Sequence, residues 1–205
     1  FREEFGVAPE FRRIGYLFLA TTEWEQEVFK ENVKLQKKFD IPVEYLNSDE
    51  IGSRWPFLRV ADVLAGTFCA WDGYAGPNEI LSGFASGAKR AGVKIHEGTE
   101  VIGISTAKGK VQGVKTKNEE ISTPVVVNAG GPYAESIGGM MSVKIPVRPL
   151  RRQIFVTAPF HLTDCPVPLT IDFHRGWYFR QEGDGLLLSG PLDVGPSFNL
   201  NTEYE

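Results

Sequence analysis

The residue types best suited to chemistry gather at two places in the chain. Tyr178 and Arg180 stand two positions apart in Trp177-Tyr178-Phe179-Arg180, a run that reads as a strand, so both side chains project to one face. A phenol can hydrogen-bond a carboxylate while its ring excludes water, and a guanidinium complements a carboxylate through two parallel N–H donors. The pair suits a small anionic molecule; an exposed strand face with the Arg stem lying along it is the plainer alternative. The second place is Asn128-Ala129-Gly130-Gly131, which follows the β-branched run Val125-Val126-Val127 and precedes a helix start at Tyr133. Small residues at a strand-to-helix turn let the backbone approach a large ligand, and glycine reaches positive φ freely. A tight turn with no ligand would require the same glycines.

Other reactive side chains form no constellation. His96, His161 and His174 lack paired metal-ligand spacing, and His174 reads as an exposed turn residue. Cys69 and Cys165 lie far apart and read as buried structural thiols. With 22 basic and 26 acidic residues among 205, the net charge is −4, which argues against a broad nucleic-acid footprint. No apolar run approaches the roughly 20 residues a membrane-spanning helix needs.

The elements that must position these residues are of both kinds. Tyr16-Leu17-Phe18-Leu19 reads as a buried strand, and Thr22 with Glu25 three residues later reads as a capped helix start. The helix runs to about Phe39, with Trp24, Val28, Phe29, Val33 and Leu35 approximating its buried face. A short helix begins near Ser48, a strand covers 64–71, and Pro77 opens a further helix that ends at Gly92. Strands are expected at 93–96, 101–106, 111–116 and 120–127, the last ending in a fully buried Val125-Val126-Val127. Lys108-Gly109-Lys110 supplies a hairpin turn. Longer strands follow at 150–158, 169–172, 177–180 and 186–190, with Gly183-Asp184-Gly185 turning between the last two. The fold class is α+β (mixed α/β).

Three patterns, in order, resemble the D-amino-acid oxidase-like family of FAD enzymes, which includes glycine and sarcosine oxidases and dye-linked proline dehydrogenases. They are Asp72-Gly73-Tyr74 with Ala88-Lys89-Arg90-Ala91-Gly92-Val93 and Glu97-Gly98-Thr99-Glu100-Val101; Gly109 to Thr116 leading into Val125 to Gly131; and Gly176-Trp177-Tyr178-Phe179-Arg180 with Asp184 to Gly190. The tail Gly195-Pro196-Ser197-Phe198-Asn199-Leu200 looks most like the proline-dehydrogenase and sarcosine-oxidase branch. The resemblance implies FAD as cofactor, with the backbone of Val101 meeting the adenine and Asn128, Ala129, Gly130 and Gly131 beside the dinucleotide. It implies an aromatic at Tyr178 bounding the substrate pocket, with Arg180 as a charge complement and no protein base required. It divides the chain into a substrate-domain part at 1–70, part of an FAD-binding domain at 71–145, and a substrate-domain sheet at 146–205.

The family opens with Gly-x-Gly-x-x-Gly after a first strand, and no such spacing occurs here. The chain is therefore expected to be an internal piece of an enzyme that oxidises a small amino acid or secondary amine of the sarcosine, proline or glycine type, and to lack FAD by itself. The rival expectation is a non-catalytic folded piece or interaction subunit. A partner subunit or self-association is compatible with either, and a cytoplasmic location is expected.

Overall fold

A computed structural model describes residues 1–190, which divide into two compact units. One contains Phe1–Ala91 and the described residues from Arg152 onward; the other is Gly92–Arg151. The tail Gly195 to Leu200 lies outside the described residues. The elements run α1 (Arg2–Phe5), β1 (Arg12–Arg13), β2 (Tyr16–Ala20), α2 (Glu23–Lys37), β3 (Val43–Asn47), α3 (Ser48–Arg54) and β4 (Ala65–Cys69). Next come β5 (Gly73–Tyr74), α4 (Pro77–Arg90), β6 (Val101–Ala107), β7 (Lys110–Thr116) and β8 (Glu120–Ser122). A 3-10 turn at Gly131–Tyr133 leads into α5 (Ala134–Gly139), followed by β9 (Ile154–Val156), β10 (Leu169–Asp172), β11 (Tyr178–Glu182) and β12 (Gly185–Ser189). The class is mixed α/β, as the sequence implies.

The first unit is built on a seven-stranded sheet of order β3-β4-β2-β10-β11-β12-β9. Its neighbours are antiparallel except β2 and β10, which run parallel with Tyr16 opposite Leu169. Alternation puts Leu17, Leu19, Leu46 and Phe68 on one face, where Ile51, Trp55 and Val63 cover them. Phe57 and Leu58 carry that core across to Val167, Phe179 and Leu186.

Helix α2 packs against β2, β3 and β4. Its inward residues are Glu25, Phe29 and Val33, spaced by four as a single helical stripe requires. Trp24, expected on the buried face, is 68% exposed, and Leu35 is exposed as well. The capping box explains the phase. Thr22 accepts from the Glu25 N–H while the Glu25 carboxylate takes the Thr21 and Thr22 N–H groups, so Glu25 is turned inward and Trp24 outward.

Helix α4 begins on Pro77 as expected and belongs to the first unit. Phe1 and Phe5 of α1 lie against Gly83 and Gly87, where a Cβ would meet their rings at 2.5 Å and 2.7 Å. The chain thus crosses between units after Ala91 and after Arg151.

The second unit holds an antiparallel meander, β6-β7-β8. Lys108 at φ 51° and Gly109 at φ 73° make its first turn, the paired positive angles of a type I′ hairpin. Among the described residues one expected strand is absent and another is cut short. Residues 93–96 form an exposed coil, and the third strand stops at Ser122. Val125 and Val127 are 70% and 83% exposed. A parallel buried strand owes its burial to neighbours, and no described strand pairs with this run. Cys69 is buried as expected; Cys165 is exposed in the loop between β9 and β10, where no sheet face covers it.

Candidate substrate and cofactor sites

Tyr178 opens β11, and the register sets its neighbours. Phe18 lies opposite Ile171, Ile171 opposite Tyr178, Tyr178 opposite Ser189, and Ser189 opposite Ile154. These residues form one row across the sheet, on the face away from the Phe179 core. Trp177 and Phe179 stack on the core side, with ring centroids 5.9 Å apart and planes 18° from parallel, which leaves Tyr178 to face outward. Its side chain is half-buried, and its hydroxyl has no hydrogen bond among the described residues. The phenol is therefore available to a ligand.

Arg180 shares that face, but it is neither exposed nor without partners. Its side chain is 17% exposed and forms an ion pair with Glu182. Nη1 donates to the Gln181 carbonyl at 2.9 Å, and the guanidinium carbon stands 4.0 Å from the centre of the Tyr74 ring. Cation–π contact and the carboxylate together fix the planar group. The spacing of Glu182 two residues after Arg180 was a readable signal for this pair. Tyr74 was not readable as its platform, because it arrives through the pairing of β5 with β1.

The turn that aims β11 is anchored on both sides. Asp172 is buried and accepts from the Arg175 N–H at 2.7 Å and from Nη1 at 2.8 Å. Arg175 Nη2 donates to Asp62 at 3.1 Å. His174 is exposed, and its Nδ1 lies 3.0 Å from Oε1 of Glu25, whose side chain is only 3% exposed. Burial pushes the Glu25 carboxyl upward, but the Thr21 and Thr22 N–H groups, the Thr22 hydroxyl and His174 outweigh it. The net effect holds the carboxyl below its usual range.

The cofactor candidates lie in the second unit. Val101 begins β6 opposite Thr116, beside a register shift between Val101 and Gly103. Its side chain is partly exposed and joins no core cluster. In the glycine turn, Asn128 Nδ2 donates to the Ala134 carbonyl at 3.0 Å and Asn128 Oδ1 accepts the Gly130 N–H at 3.1 Å. A Cβ on Gly130 would meet the Cδ1 end of Ile137 at 2.4 Å, so a side chain there would displace that isoleucine. Gly131 differs: its φ is 51°, and nothing lies within 4 Å of where a Cβ would stand. The N–H groups of Ala129 and Gly131 make no hydrogen bond among the described residues. An open glycine whose own N–H and that of Ala129 are uncommitted fits one wall of a site for a large phosphorylated ligand.

Among the described residues no cluster could hold a metal ion, and no helix is long and apolar enough to cross a membrane. The sequence profile of the FAD dependent oxidoreductase (DAO) family matches residues 1–203. The chain belongs to that family. Among solved structures, L-proline dehydrogenase from P. horikoshii superposes with a TM-score of 0.83 at 33% identity, covering 99% of this chain and 55% of the other. Glycine oxidase from Bacillus cereus shares the fold with a TM-score of 0.73 at 21% identity, covering 100% and 54%. The mitochondrial dimethylglycine dehydrogenase of Rattus norvegicus is 26% identical over 205 residues, 98% of this chain and 24% of its own length. The mitochondrial sarcosine dehydrogenase of Homo sapiens is 27% identical over 96% of this chain and 22% of its own length. The chain thus spans about a quarter of those curated DAO relatives and about half of the structural ones.

Proposed function

We propose that the chain forms the substrate-side sheet, and part of the FAD-binding region, of a flavoenzyme that oxidises a small amino acid or secondary amine. The observation that carries this reading is the uncommitted Tyr178 hydroxyl in a half-buried apolar row, next to a fixed guanidinium at Arg180. Bound FAD would supply the hydride acceptor for the carbon beside the amine nitrogen. Tyr178 donates a hydrogen bond to the substrate carboxylate, and Phe18 and Ile171 exclude water from the same face. Arg180 adds positive potential while Glu182 and Tyr74 hold its plane. Val101 and the turn from Asn128 to Gly131 flank the cofactor through backbone groups. Proline is the first substrate to test, because the likeness to a proline dehydrogenase runs over nearly the whole chain; sarcosine and glycine follow.

The test is spectroscopic and kinetic. The 205-residue chain alone is expected to purify colourless after incubation with FAD, and the same chain joined to a family-type glycine fingerprint is expected to carry one FAD. In that flavin-loaded form Tyr178→Phe is expected to raise KM for the amino acid by about tenfold, the worth of a hydrogen bond to a charged group. Flavin-free protein in every form favours the non-catalytic rival, and an unchanged KM in the Phe variant removes Tyr178 from the substrate site. A cytoplasmic location belongs to the same proposal; the exposed free thiol at Cys165 suits a reducing compartment, and cell fractionation tests it.

A further inference from the structure

The sheet of the first unit carries a second concavity on the face away from Tyr178. A cavity of about 470 Å³ lies over Phe179, Leu186 and Leu188, with Phe57, Leu58 and Leu162 along its walls. That volume falls within the roughly 300–1,000 Å³ of small-molecule sites, and a mostly apolar lining with few polar groups is their usual chemistry.

Four charged side chains line it: Arg59, Asp62, Asp172 and Arg175. Three of them are committed to one another. Asp172 gives one oxygen to the Arg175 N–H and the other to Nη1, and Asp62 takes Nη2. Both oxygens of Asp172 are taken by Arg175 and Asp62 faces the same guanidinium, so an amine-headed ligand would meet acids already paired with a cation. Arg59 is exposed and has no hydrogen bond or ion pair among the described residues. The cavity therefore offers an apolar chamber and one uncommitted cation, complementary to an apolar body with a single anionic head.

We propose that this cavity binds a small monocarboxylate with an aromatic or branched aliphatic body, its head on Arg59 and its body over Phe179 and Leu188. The site is separate from the amine-oxidising face and stands independently of the function proposed above. Titration calorimetry on the intact protein, with and without flavin, tests it using 3-phenylpropionate and the uncharged 3-phenylpropanamide. One site is expected, with the acid bound about tenfold tighter than the amide, as one charge-assisted contact provides. Arg59→Gln, an exposed change, is expected to remove that preference and leave the amino-acid KM unaltered. Leu188→Trp, which fills the chamber, is expected to abolish binding of both probes. The proposal is overturned by no binding of the acid up to about 10 mM, by a preference that survives Arg59→Gln, or by binding lost in Tyr178→Phe instead.

Discussion

Glu25 is a carboxylate taken almost wholly out of water at the first turn of α2, and its charge is held by two backbone N–H groups, a hydroxyl and an imidazole. Replacing it with Gln is expected to cost about 1–3 kcal/mol in urea unfolding at pH 7, since donors aimed at a charge lose it while staying buried. The sign of the pH dependence follows from the lowered carboxyl. Its stabilisation is full above the ordinary carboxylate range and is lost as pH falls through the lower folded value. The stability gap between the native protein and the Gln variant should therefore shrink under acid; a gap that widens there would contradict the assignment. Thr22 and Glu25 were legible as a pair because a capping box is local. His174, which completes the site from the far end of the chain, carried no such signal. The same holds for Arg180: its strand face was readable, and its Tyr74 platform was not.

At the scale of elements, the inward stripe of α2 makes a direct contrast. Phe29→Ala is expected to cost about 3–5 kcal/mol, because the ring is buried against Phe173. Trp24→Ala should stay within about 0.5 kcal/mol, since that indole is mostly in solvent. Paired thermal or urea melts decide between this phase and the one that apolar periodicity suggested. Strands and helices with local punctuation were legible in the sequence. Pro77 starts α4, Lys108-Gly109 turns β6 into β7, and the turn through Gly183 joins β11 to β12. Val125-Val126-Val127 misled for a physical reason: a buried strand is made by its neighbours, and β-branched composition cannot say whether they are present. Helix α4 is likewise tied to the first unit by residues distant in the chain, Phe1 and Phe5.

Across the molecule, apolar side chains stand in solvent where a globular surface would normally hide them. Val125 and Val127 in the second unit, and Ile154, Phe155 and Val156 on edge strand β9, are all exposed. Contiguous exposed apolar residues mark surfaces meant to be covered. The isolated chain is expected to bind the dye ANS and to self-associate, and dye binding should fall when family sequence is joined to it; fluorescence titration at matched concentrations measures this. The exposed coil after α4 contains Lys94, and limited trypsin treatment is expected to cut there before it cuts within the sheet. The parallel pairing of β2 with β10 also sets a schedule for birth on the ribosome. Tyr16 is made before residues 92–151 of the second unit, and its partner Leu169 only after them. At roughly 5–20 residues per second that wait is on the order of ten to thirty seconds. Throughout it, β2 has β4 on one side and a bare hydrogen-bonding edge on the other, so the nascent chain is most open to chaperones, and to neighbouring nascent copies, just before its central pair can close.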